Sequence, residues 1–185
     1  MGNFKISLGI TMGNEGGYNH GVGENETFFG IDRGYNPGWP GWKIVDQIKA
    51  AHPGKTDGKL DILFKADLDL IAAKDEFYKS GYWDTLKLDE VTDQRCCDIL
   101  FDDNVNPCEV SAAHVMQAAA VACGAKINVD GQVGNLTVAA VNAIPGKAYY
   151  NAVIAIRELH YKDQVVKNPK QRQWLASWLD RLTAY

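Results

Sequence analysis

A chain of 185 residues, 46% hydrophobic and 10% aromatic, can bury one good core or two small contiguous lobes, which excludes a disordered tail or a multidomain array. Its 19 basic and 23 acidic residues leave a net charge of −4, without the basic excess that neutralising phosphates requires, so no nucleic-acid partner is expected. The uncharged stretch from Val110 to Ala125 is too short to span a bilayer and carries Ser111, His114 and Gln117, so no membrane span is expected either.

The amino terminus, Met1-Gly2-Asn3-Phe4-Lys5, lacks a charged leader, an apolar core of signal length and a small-residue cleavage site. Cytoplasmic synthesis without a signal peptide is the expectation, with any export by another route. An apolar helix is predicted from there to near Glu15. The stretch from Gly16 to Gly41 reads as irregular, rich in glycine and in aromatics such as Tyr18, Phe28, Phe29, Tyr35 and Trp39. A long loop inside a compact domain is usually functional, so a site is expected there.

Helical spacing of three and four dominates the rest. Leu60, Leu63, Phe64, Leu68 and Ile71 form one predicted apolar face. The segment Phe101 to Pro107 is the candidate boundary, giving lobes 1–100 and 101–185. In Asn106-Pro107-Cys108-Glu109, a cap residue, a proline at the first helical position and a glutamate at the third predict a helix start, with a stop near Gly124. Asp130-Gly131 predicts a turn, Asn135 a cap for a helix through Asn142, and Pro145-Gly146 a break before a long helix. That last helix should show Tyr150, Ile154, Arg157 and Tyr161 on one face, followed by Trp174, Trp178 and Leu182.

Several chemistries are excluded by spacing. Cys96, Cys97, Cys108 and Cys123 contain no CxxC pair, and a bridge between neighbours would strain the backbone, so they read as free thiols. His20, His52, His114 and His160 form no HExxH pair, and Asn128-Val129-Asp130-Gly131 lacks the surrounding carboxylates of a calcium loop; no metal or cofactor is implied. Neither GxSxG nor a P-loop occurs.

What remains is a pair of carboxylates. Glu15 stands where the first helix meets the glycine-rich loop, in Asn14-Glu15-Gly16-Gly17-Tyr18, and Glu24 follows nine residues on, just before Thr27. Two carboxylates flanking a cleft are the minimum for glycoside hydrolysis, one protonated for the leaving oxygen and the other charged.

The blocks Glu15-Gly16-Gly17-Tyr18 and Thr27-Phe28-Phe29-Gly30-Ile31-Asp32 resemble the EGGY and TxxGIT blocks of glycoside hydrolase family 108, bacterial and phage N-acetylmuramidases. Tyr82-Trp83 resembles the family's YW, and Phe101-Asp102 with Val105-Asn106 its FDxxVN. The second half, with Met116-Gln117, Asp130-Gly131-Gln132-Val133-Gly134 and Thr137, resembles the companion region called a predicted peptidoglycan-binding domain. Arg157 and the closing run Trp174 to Arg181 resemble the terminal WLxGWLxR, with serine at the usual glycine. One interval departs from the pattern. Glu24 occupies the position where the family has Asp, and the segment to Thr27 is two residues shorter and lacks a glycine pair.

The resemblance implies an all-α, lysozyme-like fold of two closely packed helical lobes. It implies hydrolysis of the β-1,4 bond between N-acetylmuramic acid and N-acetylglucosamine, with peptidoglycan glycan strands as partner and action at the cell wall after non-classical, holin-type or secretion-linked export. Glu15 would be the proton donor and Glu24 the second carboxylate; if Glu24 takes no part, attention shifts to Asp32 or to a mechanism with one essential carboxylate. Tyr18, Thr27, Tyr82, Trp83 and Asn106 would contact substrate. Some relatives carry the label of secretion activator, so a noncatalytic wall-binding or secretion-accessory protein is the alternative.

Overall fold

The computed structural model describes residues 1–13, 16–21, 25–107 and 109–183. The chain is mostly α-helical, as expected, with one small sheet among the described residues. It divides into two compact units, Thr11–Gly81 and the combination of Met1–Ile10 with Tyr82–Tyr185.

In the unit Thr11–Gly81 the glycine- and aromatic-rich stretch condenses into three antiparallel strands, β1 (Tyr18–Asn19), β2 (Thr27–Phe28) and β3 (Ile31–Asp32). Tyr18 lies opposite Phe28, and Phe28 opposite Ile31. Two-residue strands cannot display a period of two, which is why the sequence reads there as loop. Phe29 (φ 46°) and Gly30 (φ 79°) close the β2–β3 hairpin, both in the left-handed region that matches strand twist in a two-residue turn. A phenylalanine in that region is strained. Tyr78 Oη donates to the Phe29 carbonyl at 2.6 Å and holds the turn in place.

Helices α2 (Gly41–Ala51), α3 (Asp57–Ala66) and α4 (Leu68–Tyr78) pack on one another, and α3 also packs on β1. Their shared core contains Phe28, Ile31, Trp42, Val45, Phe64 and Leu70, all nearly or fully buried. The predicted single face from Leu60 to Ile71 is corrected at Asp67. That side chain accepts from Leu70 N at 2.8 Å and caps a new helix, resetting the phase so that Leu70 is buried and Leu68 is exposed.

The other unit begins with most of helix α1 (Phe4–Met12). Phe4, Trp83 and Phe101 form an edge-to-face triangle with centroids 5.6–5.8 Å apart. Helices α5 (Gln94–Val105), α6 (Ala112–Ala122), α7 (Asn135–Asn142), α8 (Gly146–Lys167) and α9 (Leu175–Arg181) follow, with α8 packed on α5, α6 and α9. The breaks at Gly124 and Pro145-Gly146 fall where predicted. The start of α6 does not. Asn106 is the residue after the end of α5, its N–H donating to Asp102 O at 2.8 Å, and α6 opens five residues later with Ser111 at the N-cap. The buried face of α8 is centred on Tyr149, Val153, Arg157, Tyr161 and Val165, one residue from the predicted stripe at its first two positions.

Arg157 is fully buried. Its guanidinium lies 3.1 Å from Asp102 and 2.8 Å from Asp103, donates to Tyr161 Oη at 2.7 Å, and shares Asp102 with Arg181 Nε at 2.7 Å. Burial raises the Asp103 carboxyl to about 6, Arg157 opposing and Asp102 reinforcing the rise. Among the described residues, no helix is long and apolar enough to cross a membrane.

Candidate active site

Glu15 and Glu24 lie outside the described residues. The described part of the segment that contains them is organised by another carboxylate. Glu26, only 6% exposed, accepts from Tyr18 Oη at 2.6 Å, Lys49 Nζ at 2.7 Å and Arg33 Nη1 at 2.6 Å. Arg33 also makes a two-pronged pair with Asp46 at 2.8 and 2.6 Å and lies over the Trp42 ring at 5.2 Å. Burial by itself pushes the Glu26 carboxyl up, but the hydrogen bonds from Lys49, Tyr18 and Arg33 outweigh it and bring it down to about 2. The group is therefore ionised, and it fixes strand β1, the residue before β2, and α2 to one another.

Each neighbouring described carboxylate is likewise engaged. Asp32 Oδ1 accepts from Gly34 N at 2.7 Å and Tyr35 N at 3.1 Å, forming the turn after β3. Asp61 accepts from Tyr18 N at 2.7 Å and pairs with Lys65 at 2.6 Å. Asp57 accepts from His20 N at 3.2 Å, and Asp46 is held below the usual carboxylate range, chiefly by its bonds from Arg33.

The predicted contact residues fall in different surroundings. Tyr18 is buried, edge-on to Phe64 at 4.7 Å, and its phenol is pushed above its ordinary range by burial and by Glu26. In this structure its ring packs on Phe64 and its hydroxyl is taken up by Glu26. Trp83 is packed as well. It is fully buried between Phe4 and Phe101, with Nε1 donating to Asp89 at 2.8 Å. Thr27 is half-buried and its hydroxyl reaches Asn19 O at 3.4 Å. Tyr82 is half-buried, with its carbonyl accepting from Asn104 Nδ2 at 2.7 Å. Asn106 is half-buried, and its Nδ2 has no hydrogen-bond partner among the described residues.

Sequence reasoning passed over Glu26, Arg33 and Lys49 as positioning residues. The available signal was Glu26 itself, a carboxylate directly before a strand position in a stretch whose next cation is Arg33. A hollow of about 670 Å³ borders this network, with Arg33, Trp39, Trp42, Lys43 and Asp46 in its wall. No group of three or more His, Cys, Asp or Glu among the described residues is placed to hold a metal ion.

Two family models match the chain, Glycosyl hydrolase 108 over residues 8–107 and Predicted Peptidoglycan domain over residues 111–183. The pairing is that of a peptidoglycan hydrolase that acts at the cell wall. The chain belongs to glycosyl hydrolase family 108. No curated protein matches it.

Proposed function

We propose that this chain is an N-acetylmuramidase, hydrolysing the β-1,4 bond between N-acetylmuramic acid and N-acetylglucosamine in peptidoglycan. The observation that carries the reading is the family 108 match over residues 8–107, a span that includes both Glu15 and Glu24. The sequence supports it: Glu15 and Glu24 stand nine residues apart in the glycine-rich stretch, within and between the blocks that resemble those of the family.

Glu15 donates its proton to the glycosidic oxygen as the bond to the anomeric carbon breaks, and Glu24 as a carboxylate offsets the positive charge that develops on the sugar. Water supplies hydroxide to the anomeric carbon and returns a proton to Glu15. The Thr27 hydroxyl, on the strand that follows Glu24, assists by holding substrate or water.

The test is turbidity loss of purified peptidoglycan together with release of new reducing ends, measured for the wild-type chain and for Glu15→Gln. The expected result is hydrolysis by the wild type and a loss of about 10²-fold or more in the variant, the scale of general acid catalysis. Sedimentation with the wall without new reducing ends would replace this reading by a noncatalytic wall-binding role.

A further inference from the structure

The unit that contains α6 to α9 carries a cleft of about 650 Å³, formed by the chain from Lys126 to Gly134 and the first turn of α7. Its floor is the buried side chain of Gln117. Gln117 Nε2 donates to Asp130 Oδ1 at 2.8 Å and to Gln132 O at 3.1 Å, while Oε1 accepts from Asp130 N at 2.9 Å and Gly131 N at 2.8 Å. One amide thus fixes three consecutive loop residues. Gly131 sits at φ 74°, and any Cβ there would collide with the His114 ring, so the turn is closed to other residues. The loop is held in shape before any ligand arrives, which lowers the ordering cost of binding.

The rim has a defined chemistry. The side-chain amides of Asn128 and Gln132 are exposed and make no hydrogen bond within the protein among the described residues. Leu136, 82% exposed, supplies apolar surface beside them. The charges lining the cleft are one cation, Lys126, and one carboxylate, Asp130, which is already bonded to Gln117 and Gln132 N. The lining is electrically balanced, amide-rich and partly apolar. Its volume lies within the range of ligand sites.

Resting on the peptidoglycan reading above, we infer that this cleft binds the N-acetylated sugars of the glycan strand rather than its peptide stems. An acetamido group carries an N–H and a C=O that pair with free Asn and Gln amides, and a methyl that packs on Leu136. A stem peptide carries carboxylates and calls for a cationic surface, which a single lysine in a cleft that also holds Asp130 does not provide.

The experiment is an NMR titration of the isotope-labelled full chain carrying Glu15→Gln, with triacetylchitotriose, its deacetylated counterpart and a stem tetrapeptide as separate probes. The expected result is saturable shifts in the amides of residues 126–137 with the acetylated sugar alone. The double variant Asn128→Ala/Gln132→Ala, with an unchanged melting temperature, should weaken that binding by about tenfold or more. Shifts confined to other residues, shifts at 126–137 produced by the peptide, or undiminished binding by the double variant would each overturn the assignment. Release of reducing ends from peptidoglycan by the wild-type chain is read separately, so failure of the hydrolase reading is distinguishable from failure of this one.

Discussion

The Tyr18 hydroxyl donates to Glu26 at 2.6 Å, joining the last residue of the Glu15-Gly16-Gly17-Tyr18 block to the residue that precedes β2. The bond adds to the β1–β2 pairing of the same two segments, and the same carboxylate is fastened to α2 through Lys49.

The first prediction concerns acid stability. Glu26 titrates at about 2 in the fold against an ordinary 4.5, so the folded protein holds this proton less tightly than the unfolded chain does. Its stabilisation is complete above about pH 4.5 and is lost as the pH falls through about 2. In Glu26→Gln the melting temperature should be lower than wild type at pH 6, and the difference should close as the pH approaches 2. A difference that stays constant across that range, measured by circular dichroism melts, would contradict the ionised network.

The second distinguishes the candidate second carboxylates. Glu24→Gln should lower kcat with little change in KM, because a charge that stabilises the transition state acts mainly there. Asp32→Asn keeps the Oδ1 acceptor that holds the amides of Gly34 and Tyr35, so it should leave both stability and kcat nearly unchanged. An Asp32→Asn enzyme that folds normally but has lost kcat would move the role from Glu24 to Asp32.

The third prediction is that Arg157→Met destabilises the chain by about 3–5 kcal/mol, because it leaves Asp102 and Asp103 buried without their shared cation. The melting temperature should fall by on the order of 10 °C. Asp103 itself has the opposite sign from Glu26. Its carboxyl is raised to about 6, so the stability linked to its bound proton is present below about 3.8 and is lost as the pH rises through about 6. Calorimetry of Asp103→Asn should show a flatter pH dependence between about 4 and 6 than the wild type.

The fourth concerns the thiols. Cys96 and Cys97 are buried, and burial pushes each thiol up to about 12, so neither presents thiolate at neutral pH. A thiol reagent should leave both unmodified in the native chain and titrate all four cysteines after unfolding under protection from oxidation. Rapid native labelling of Cys96 or Cys97, located by mass spectrometry, would refute their enclosure.

Elements announced by local chemistry were legible in the sequence. Gly124, with φ 96°, ends α6, and Pro145-Gly146 separates α7 from α8, because these residues dictate backbone conformation wherever they occur. Asn106-Pro107 misled because a cap-like string shows which residues could start a helix, and α5 instead extends to Val105 and ends at that asparagine. The family was legible as motifs, through the glycines and glutamates of a stretch that the family 108 match covers. The ions that support that stretch were not, since Glu26, Arg33, Asp46 and Lys49 meet only through the fold. Trp83 drew notice as an aromatic beside Tyr82, and only its packing against Phe4 and Phe101 identifies it as core.

The buried cluster around Arg157 also bears on how this chain can be cut and recombined. Asp102 and Asp103 fall within the family match at 8–107, whereas Arg157 and Arg181 fall within the match at 111–183. A break at the seam between the two matches would leave two carboxylates stranded on one fragment and their guanidinium partners on the other. The inheritable module that ends at the carboxy terminus must therefore carry α5 with it, and a graft made from residue 111 onward would transplant a lock without its key.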